Sequence, residues 1–211
     1  MFIVLFVFSG LFFNIFIQAL NEKKLSDLIR NYEEKNNAKV LYLMHKKSYV
    51  GIFGIPLYDY LEVFDAHRLL KELRNIPPNK NLLLIIHSPG GELLAGMQIA
   101  KMLKSCKGKV TVVIPSYAMS AGTLISLAAD EILAKETTTF GPIDPQIPTG
   151  GANSNFFSAV DVLKVCKNIK EAKMQEKILC EISRKAMSQT EDFLRNTVLK
   201  DKPEIPKKSI H

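Results

Sequence analysis

Two hundred and eleven residues make one ordinary domain with an appendage, and a 47% hydrophobic content is ample for a core and excludes a disordered chain. The 28 Lys+Arg against 21 Asp+Glu leave a formal charge of +7, without the Arg-rich stripe or interleaved aromatics of a nucleic-acid face; a basic surface near an anionic membrane fits better. Cys106, Cys166 and Cys180, odd in number and widely spaced, exclude a disulfide-stapled fold and a zinc pattern and predict reduced, buried thiols.

Residues 1–20 (MFIVLFVFSGLFFNIFIQAL) carry no charged side chain and six of the 12 Phe. That length approaches the ~20 residues that span a bilayer as a helix. A cleavable signal peptide is the alternative, but no basic region precedes Phe2 and no small-x-small site follows. The expectation is one transmembrane helix. Lys23, Lys24, Arg30 and Lys35 lie just past it, so the positive-inside rule places residues 21–211 in the cytoplasm. Residues 21–38 then form a juxtamembrane helix (Leu25 to Glu34) and linker, 39–200 the main domain, and 201–211 a basic, Pro-interrupted, disordered tail.

Within the main domain, Lys39 to Met44 reads as a strand, with Tyr49 to Phe53 pairing with it across a loop containing His45. Val63 to Arg74 has helical spacing, stopped by Pro77-Pro78. Leu82 to Ile86 is a continuous apolar run, as in a strand buried on both faces. Leu93, Leu94, Met97, Ala100 and Leu103 line one side of a helix. Val110 to Ile114 is a strand, Ser120 to Ala129 a helix, and Glu131 to Ala134 a strand. Strand and helix alternate, which implies βαβ crossovers and an α/β fold with a mostly parallel sheet. Towards the C-terminus, Met174, Ile178, Leu179, Ile182, Ala186, Met187 and Leu194 form one amphipathic helical face.

Two strand-end loops carry the candidate chemistry. In His87-Ser88-Pro89-Gly90-Gly91 the glycines let backbone approach a ligand, and amides opening a helix favour negative charge. In Tyr117-Ala118-Met119-Ser120-Ala121-Gly122-Thr123, small neighbours leave the Ser120 hydroxyl uncrowded. Parallel neighbouring strands bring both loops to one sheet edge, where the Gly91 and Ala121 amides form an oxyanion hole beside Ser120. The plain structural alternative is a capping serine and a tight glycine turn.

HSPGGELLAGMQIAKML and PSYAMSAGTLISLAADEILAKETTTFGPIDPQ, with FGIPLYDY at residues 53–60, closely resemble the serine dehydrogenase proteinase family, related to the Clp protease proteolytic subunit and signal peptide peptidase A. The similarity runs from about Asp27 to Ala186. It implies a ClpP/crotonase-like spiral of βαβ units, Ser120 as nucleophile, and Gly91 and Ala121 as oxyanion donors. Asp144 matches the family's acid, with an aspartate ordering a Pro-rich turn as the alternative. The family pattern of Ser, Asp, His lacks its histidine: His211 is the one histidine after Ser120, and the chain reads as shortened. His87 reads as structural. Signal peptide peptidase relatives use a lysine on a later helix instead, and Lys164 occupies such a position if burial removes its charge.

The resulting expectation is a single-pass membrane serine endopeptidase acting on peptides or membrane-protein segments, with no metal, nucleotide or nucleic acid. The resemblance adds a homo-oligomer. A catalytically silent membrane scaffold is the alternative from another class. Acyl-CoA chemistry on the crotonase fold is a third.

Overall fold

The computed structural model describes residues 22–45, 47–50, 55–58, 60–148, 156–169, 171 and 173–202. The expected anchor at 1–20 and most of the expected tail, 203–211, lie outside them. Among the described residues no helix is long and apolar enough to cross a membrane. In chain order the helices are α1 (residues 22–36), α2 (Val63–Arg74), α3 (Leu93–Ser105), α4 (Ala121–Leu127), α5 (Ala159–Cys166) and α6 (Met174–Phe193), the last continued by a π-helical turn, Leu194–Val198. The strands are β1 (Ala38–Met44), β2 (Lys47–Val50), β3 (Ile55–Tyr58), β4 (Asn81–His87), β5 (Val110–Ile114), β6 (Tyr117–Ala118), β7 (Glu131–Ala134), β8 (Thr139–Phe140), β9 (Gln146–Pro148) and β10 (Phe156–Ser158).

The apolar runs become a parallel sheet in the order β1-β4-β5-β7, each strand beside its predecessor. Leu41 faces Leu84, Leu84 faces Val112, and Val112 faces Ile132 across the ladder. Above this sheet runs a second, narrower ladder. Leu61 pairs with Gly91, Ser88 with Ala118, Tyr117 with Thr139 and Ala118 with Phe140, all parallel. The chain therefore repeats one unit: a sheet strand, a short second stretch, then a helix. Each repeat adds a rung to both ladders, so the second stretches stack with the register of the sheet below.

Helices α2, α3 and α4 bury Leu69, Leu73, Ile99, Leu103, Leu124 and Ile125 against Leu84, Ile86, Val112 and Ile114. Each such side chain contributes about 1.5–3 kcal/mol by leaving water. The β4 run is not buried on both faces. Leu82, Leu84 and Ile86 are buried, while Leu83 and Ile85 are half-buried, because the helices cover one face.

Two pairings differ from expectation. The strand after His45 does not join β1; β2 pairs antiparallel with β3, the segment following it, while β1 lies against β4. A local antiparallel partner wins over a return to β1. Cys166 and Cys180 are bonded to each other, linking α5 to α6, so the expectation of reduced thiols holds only for Cys106. Burial pushes the Cys106 thiol up, with the nearby Asp130 charge adding to it. The apolar stripe of α6 is not packed throughout. Met174, Ile178 and Ile182 are exposed, whereas Ser183, Thr190 and then Leu194 are buried. At 8 residues, α5 is too short to cover the 20 of α6.

Candidate active site

Ser120 lies between β6 and α4 with φ 49° and ψ −114°. The Gly122 amide donates to the Met119 carbonyl at 2.8 Å, closing a four-residue turn with Ser120 in its second position. Those angles belong to a type II′ turn, whose second residue is ordinarily glycine. A serine there carries strain on the order of 1–3 kcal/mol. The flanking residues fix it. Met119 donates its amide to the Ser88 carbonyl at 3.0 Å, and the Gly141 amide donates to Ala118 at 3.2 Å. The Thr123 hydroxyl lies 2.7 Å from the Ala118 carbonyl and 2.8 Å from that of Gly141. Ser120 occupies the helix-cap position, yet its side chain caps nothing. The residue is half-buried, and its hydroxyl has no hydrogen-bond partner among the described residues.

The glycine turn lies directly against this serine. Gly90 takes φ +93°, and a Cβ there would stand 2.8 Å from the Ser120 Cβ and 2.7 Å from the Met119 carbonyl oxygen. Only a residue without a side chain fits at that distance. Gly91 is tighter still on its other side, where a Cβ would meet the Leu61 carbonyl oxygen at 2.1 Å. Leu61 donates to the Gly90 carbonyl and accepts from the Glu92 amide, both at 2.8 Å. Strand alternation then turns the Gly91 amide away from Leu61. Among the described residues neither the Gly91 nor the Ala121 amide has an acceptor. The unpartnered Ser120 hydroxyl and Ala121 amide thus follow the Ser88–Ala118 rung, and the unpartnered Gly91 amide lies on the Leu61–Gly91 rung, one residue from the Gly90 that packs against Ser120.

The expected partners for the hydroxyl are hydrogen-bonded to other groups. Asp144 is half-buried, and its Oδ1 accepts from the Val160 amide at 3.4 Å, at the start of α5. Lys164 does not have the desolvated setting expected of a lysine base. It is exposed, its Nζ 2.9 Å from Asp161 Oδ1. That hydrogen bond and the Asp161 charge hold the ammonium above its ordinary range. No hydrogen bond joins either residue to Ser120. His87 packs against Tyr117, ring centroids 4.2 Å apart and planes tilted by 54°. No group of three or more His, Cys, Asp or Glu among the described residues could hold a metal ion.

One further cluster gives no sign of itself in the sequence. His45, 3% exposed, has Nδ1 2.8 Å from Ser88 Oγ and Nε2 3.7 Å from Asp65 Oδ2. Ser88 Oγ in turn accepts from the Gly90 amide at 3.1 Å. His45 and Ser88 lie 43 residues apart, and only the β1–β4 pairing brings them together, so no local motif could have revealed them.

Among proteins of known sequence the chain is similar to two uncharacterised proteins of Methanocaldococcus jannaschii. One is 41% identical over 83% of this chain and 59% of its own length, the other 37% identical over 96% and 67%. The ATP-dependent Clp protease proteolytic subunit 1 of Chlamydia abortus is 29% identical over 56% of this chain and 63% of its own. The chain thus spans about three fifths of the first of these relatives. A solved ClpP1 mutant from Listeria monocytogenes shares 16% identity, with a TM-score of 0.49 over 79% of this chain and 75% of that one. A family model described as ClpP-like SDH-type serine proteinase matches residues 1–209, and the chain belongs to that family.

Proposed function

We propose that this protein is a membrane-anchored serine peptidase on a ClpP/crotonase-like spiral, with Ser120 as nucleophile and the Gly91 and Ala121 amides as the oxyanion hole. The observation that carries the reading is the strained Ser120 turn, its hydroxyl free, packed against the Gly90–Gly91 turn. Strain at a residue whose neighbours over-determine it is a mark of function. In the reaction the Ser120 oxygen bonds to a peptide carbonyl carbon and its proton passes to a base. The carbonyl oxygen takes up negative charge between the two amides. Collapse breaks the C–N bond, the amine leaves with a proton, and water hydrolyses the acyl-serine ester. Asp144 is the acid of this scheme. Its Oδ1 accepts from the Val160 amide at the start of α5, which holds the carboxylate in place.

Membership of a serine proteinase family supports peptides as substrates. The uncharged 1–20 segment supports segments presented at a bilayer, with the main domain on the cytoplasmic side of the Lys23, Lys24, Arg30 and Lys35 flank. The Cys166–Cys180 bond weighs the other way, because disulfides persist in oxidising compartments. The exposed Met174, Ile178 and Ile182 favour a homo-oligomer. A fluorophosphonate probe is expected to label wild type and not Ser120→Ala. Labelling of both, or of neither, sinks the proposal. A catalytically silent scaffold is the second reading, favoured by the absence of a base hydrogen-bonded to Ser120 among the described residues. It predicts membrane association and normal folding without labelling.

A further inference from the structure

We propose that His45, Ser88 and Asp65 form a buried relay that positions the oxyanion turn, with His45 a positioning residue for the reaction at Ser120; this rests on Ser120 being the nucleophile. The three resemble a serine triad in composition, but Ser88 is fully buried and cannot meet a substrate. Its place in the chain is what matters. Ser88 sits two residues before Gly90 in the second ladder, and its Oγ accepts from the Gly90 amide at 3.1 Å.

The Gly90 amide donates to Oγ, and among the described residues His45 Nδ1, 2.8 Å away, is the acceptor within reach of the Ser88 proton; the relay assigns that proton to it. Nδ1 is then the acceptor, and the ring proton sits on Nε2, facing the Asp65 carboxylate at 3.7 Å. Asp65 is itself held. Its Oδ2 accepts from the Glu62 amide at 3.1 Å, and its Oδ1 lies 3.5 Å from Arg68. The imidazole is anchored by its own backbone, since the His45 amide donates to the His87 carbonyl at 2.9 Å. Donation then runs one way, from the Gly90 amide to the Ser88 hydroxyl to the His45 imidazole, whose Nε2 proton faces the Asp65 carboxylate. Gly90 is therefore fixed from both sides, by Ser88 at its amide and by Leu61 at its carbonyl. Gly91, the next residue, points its free amide outward only as that frame dictates. A histidine also fixes which way the serine proton points, which an apolar side chain cannot do.

The test uses the full chain in detergent and two readouts. One is the rate of fluorophosphonate labelling at Ser120; the other is hydrogen exchange of peptides covering residues 88–92. In Ser88→Ala and His45→Leu the labelling rate is expected to fall at least ~10-fold, short of the ~10²–10³ typical when an oxyanion donor is deleted. Exchange at Gly90 is expected to rise by a similar factor. His45→Asn places an amide oxygen near the Nδ1 position and is expected to restore both to within ~3-fold of wild type, which bulk filling of the site would not achieve. If His45→Leu does not fold, Ser88→Ala, which removes one oxygen, decides the question against its own melting curve. Unchanged labelling and exchange in Ser88→Ala, or His45→Asn behaving as His45→Leu, overturns the relay. A wild type that resists the probe defeats the Ser120 reading instead, and the exchange measurements still decide the relay.

Discussion

Adding a single methyl group at Gly91 tests whether the second ladder sets the geometry of the oxyanion turn. In Gly91→Ala the new Cβ would stand 2.1 Å from the Leu61 carbonyl oxygen and 2.5 Å from its nitrogen. Relieving that contact requires the two segments to part by roughly 1 Å, since carbon and oxygen settle near ~3.2 Å or beyond. The bonds from Leu61 to Gly90 and from Glu92 to Leu61, both 2.8 Å, then open past hydrogen-bonding range. Leu61 is fully buried, so its amide and carbonyl find little water in compensation. Two such losses cost about 2–4 kcal/mol together. At ~2–4 °C per kcal/mol for a chain of this size, the melting temperature falls by roughly 4–16 °C. The Gly91 amide moves with its segment, and a 1 Å misplacement lowers labelling at Ser120 by about 10²-fold. Thermal melting by circular dichroism and timed fluorophosphonate labelling measure the two effects. A variant that melts within about 1 °C of wild type and labels within about twofold would refute both the close approach and its role.

Ser120→Gly relaxes the φ 49° turn and is expected to stabilise the fold by about 0.5–2 kcal/mol while abolishing labelling, read by melting and probe together. Lys164→Ala is expected to leave the pH–rate profile of labelling unchanged, because its exposed ammonium is committed to Asp161. For Glu33, burial pushes the carboxyl up, but the Val40 amide at 2.8 Å and Lys39 at 3.1 Å outweigh it, and the group ends below the ordinary range. A carboxyl lowered in the folded state stabilises it above the unfolded pKa and loses that contribution as pH falls through the folded pKa. Glu33→Gln is therefore expected to melt below wild type at pH 7, with the gap closing in acid below the usual glutamate range. A gap that persists at low pH refutes the assignment.

What the sequence made legible is what local pattern carries. The spacing within Val63–Arg74 and the apolar run Val110–Ile114 coincide with α2 and β5, since one buried face suffices to define each. The convergence of SPGG and AMSAGT at one edge followed from parallel order, and Gly90 does lie against Ser120. Illegible were the contacts made by topology. Nothing near His45 announces Ser88, because the pair forms only when β1 lies beside β4. Nothing at a 14-residue spacing announces the Cys166–Cys180 bond, which needs α5 and α6 side by side. The strain at Ser120 was equally invisible, for a serine before a helix ordinarily caps it.

The ladder also accounts for the persistence of that strain. A type II′ angle at a serine would relax if either flank were free to turn. Both are pinned: the preceding flank by the bonds of Met119 to Ser88 and of Gly141 to Ala118, the following one by the Thr123 hydroxyl against the Ala118 and Gly141 carbonyls and by the first turn of α4. Relaxing Ser120 would recover on the order of 1–3 kcal/mol but break several of these bonds, each worth about 0.5–1.5 kcal/mol. The balance favours the strained form. The same rungs carry the Gly90–Gly91 turn, so the hydroxyl and the amides are set by one register rather than by two independent loops. A change that shifts the register of Ser88 against Ala118 must move both together, whereas a change in the loop after Gly141 that spares the rungs must move neither.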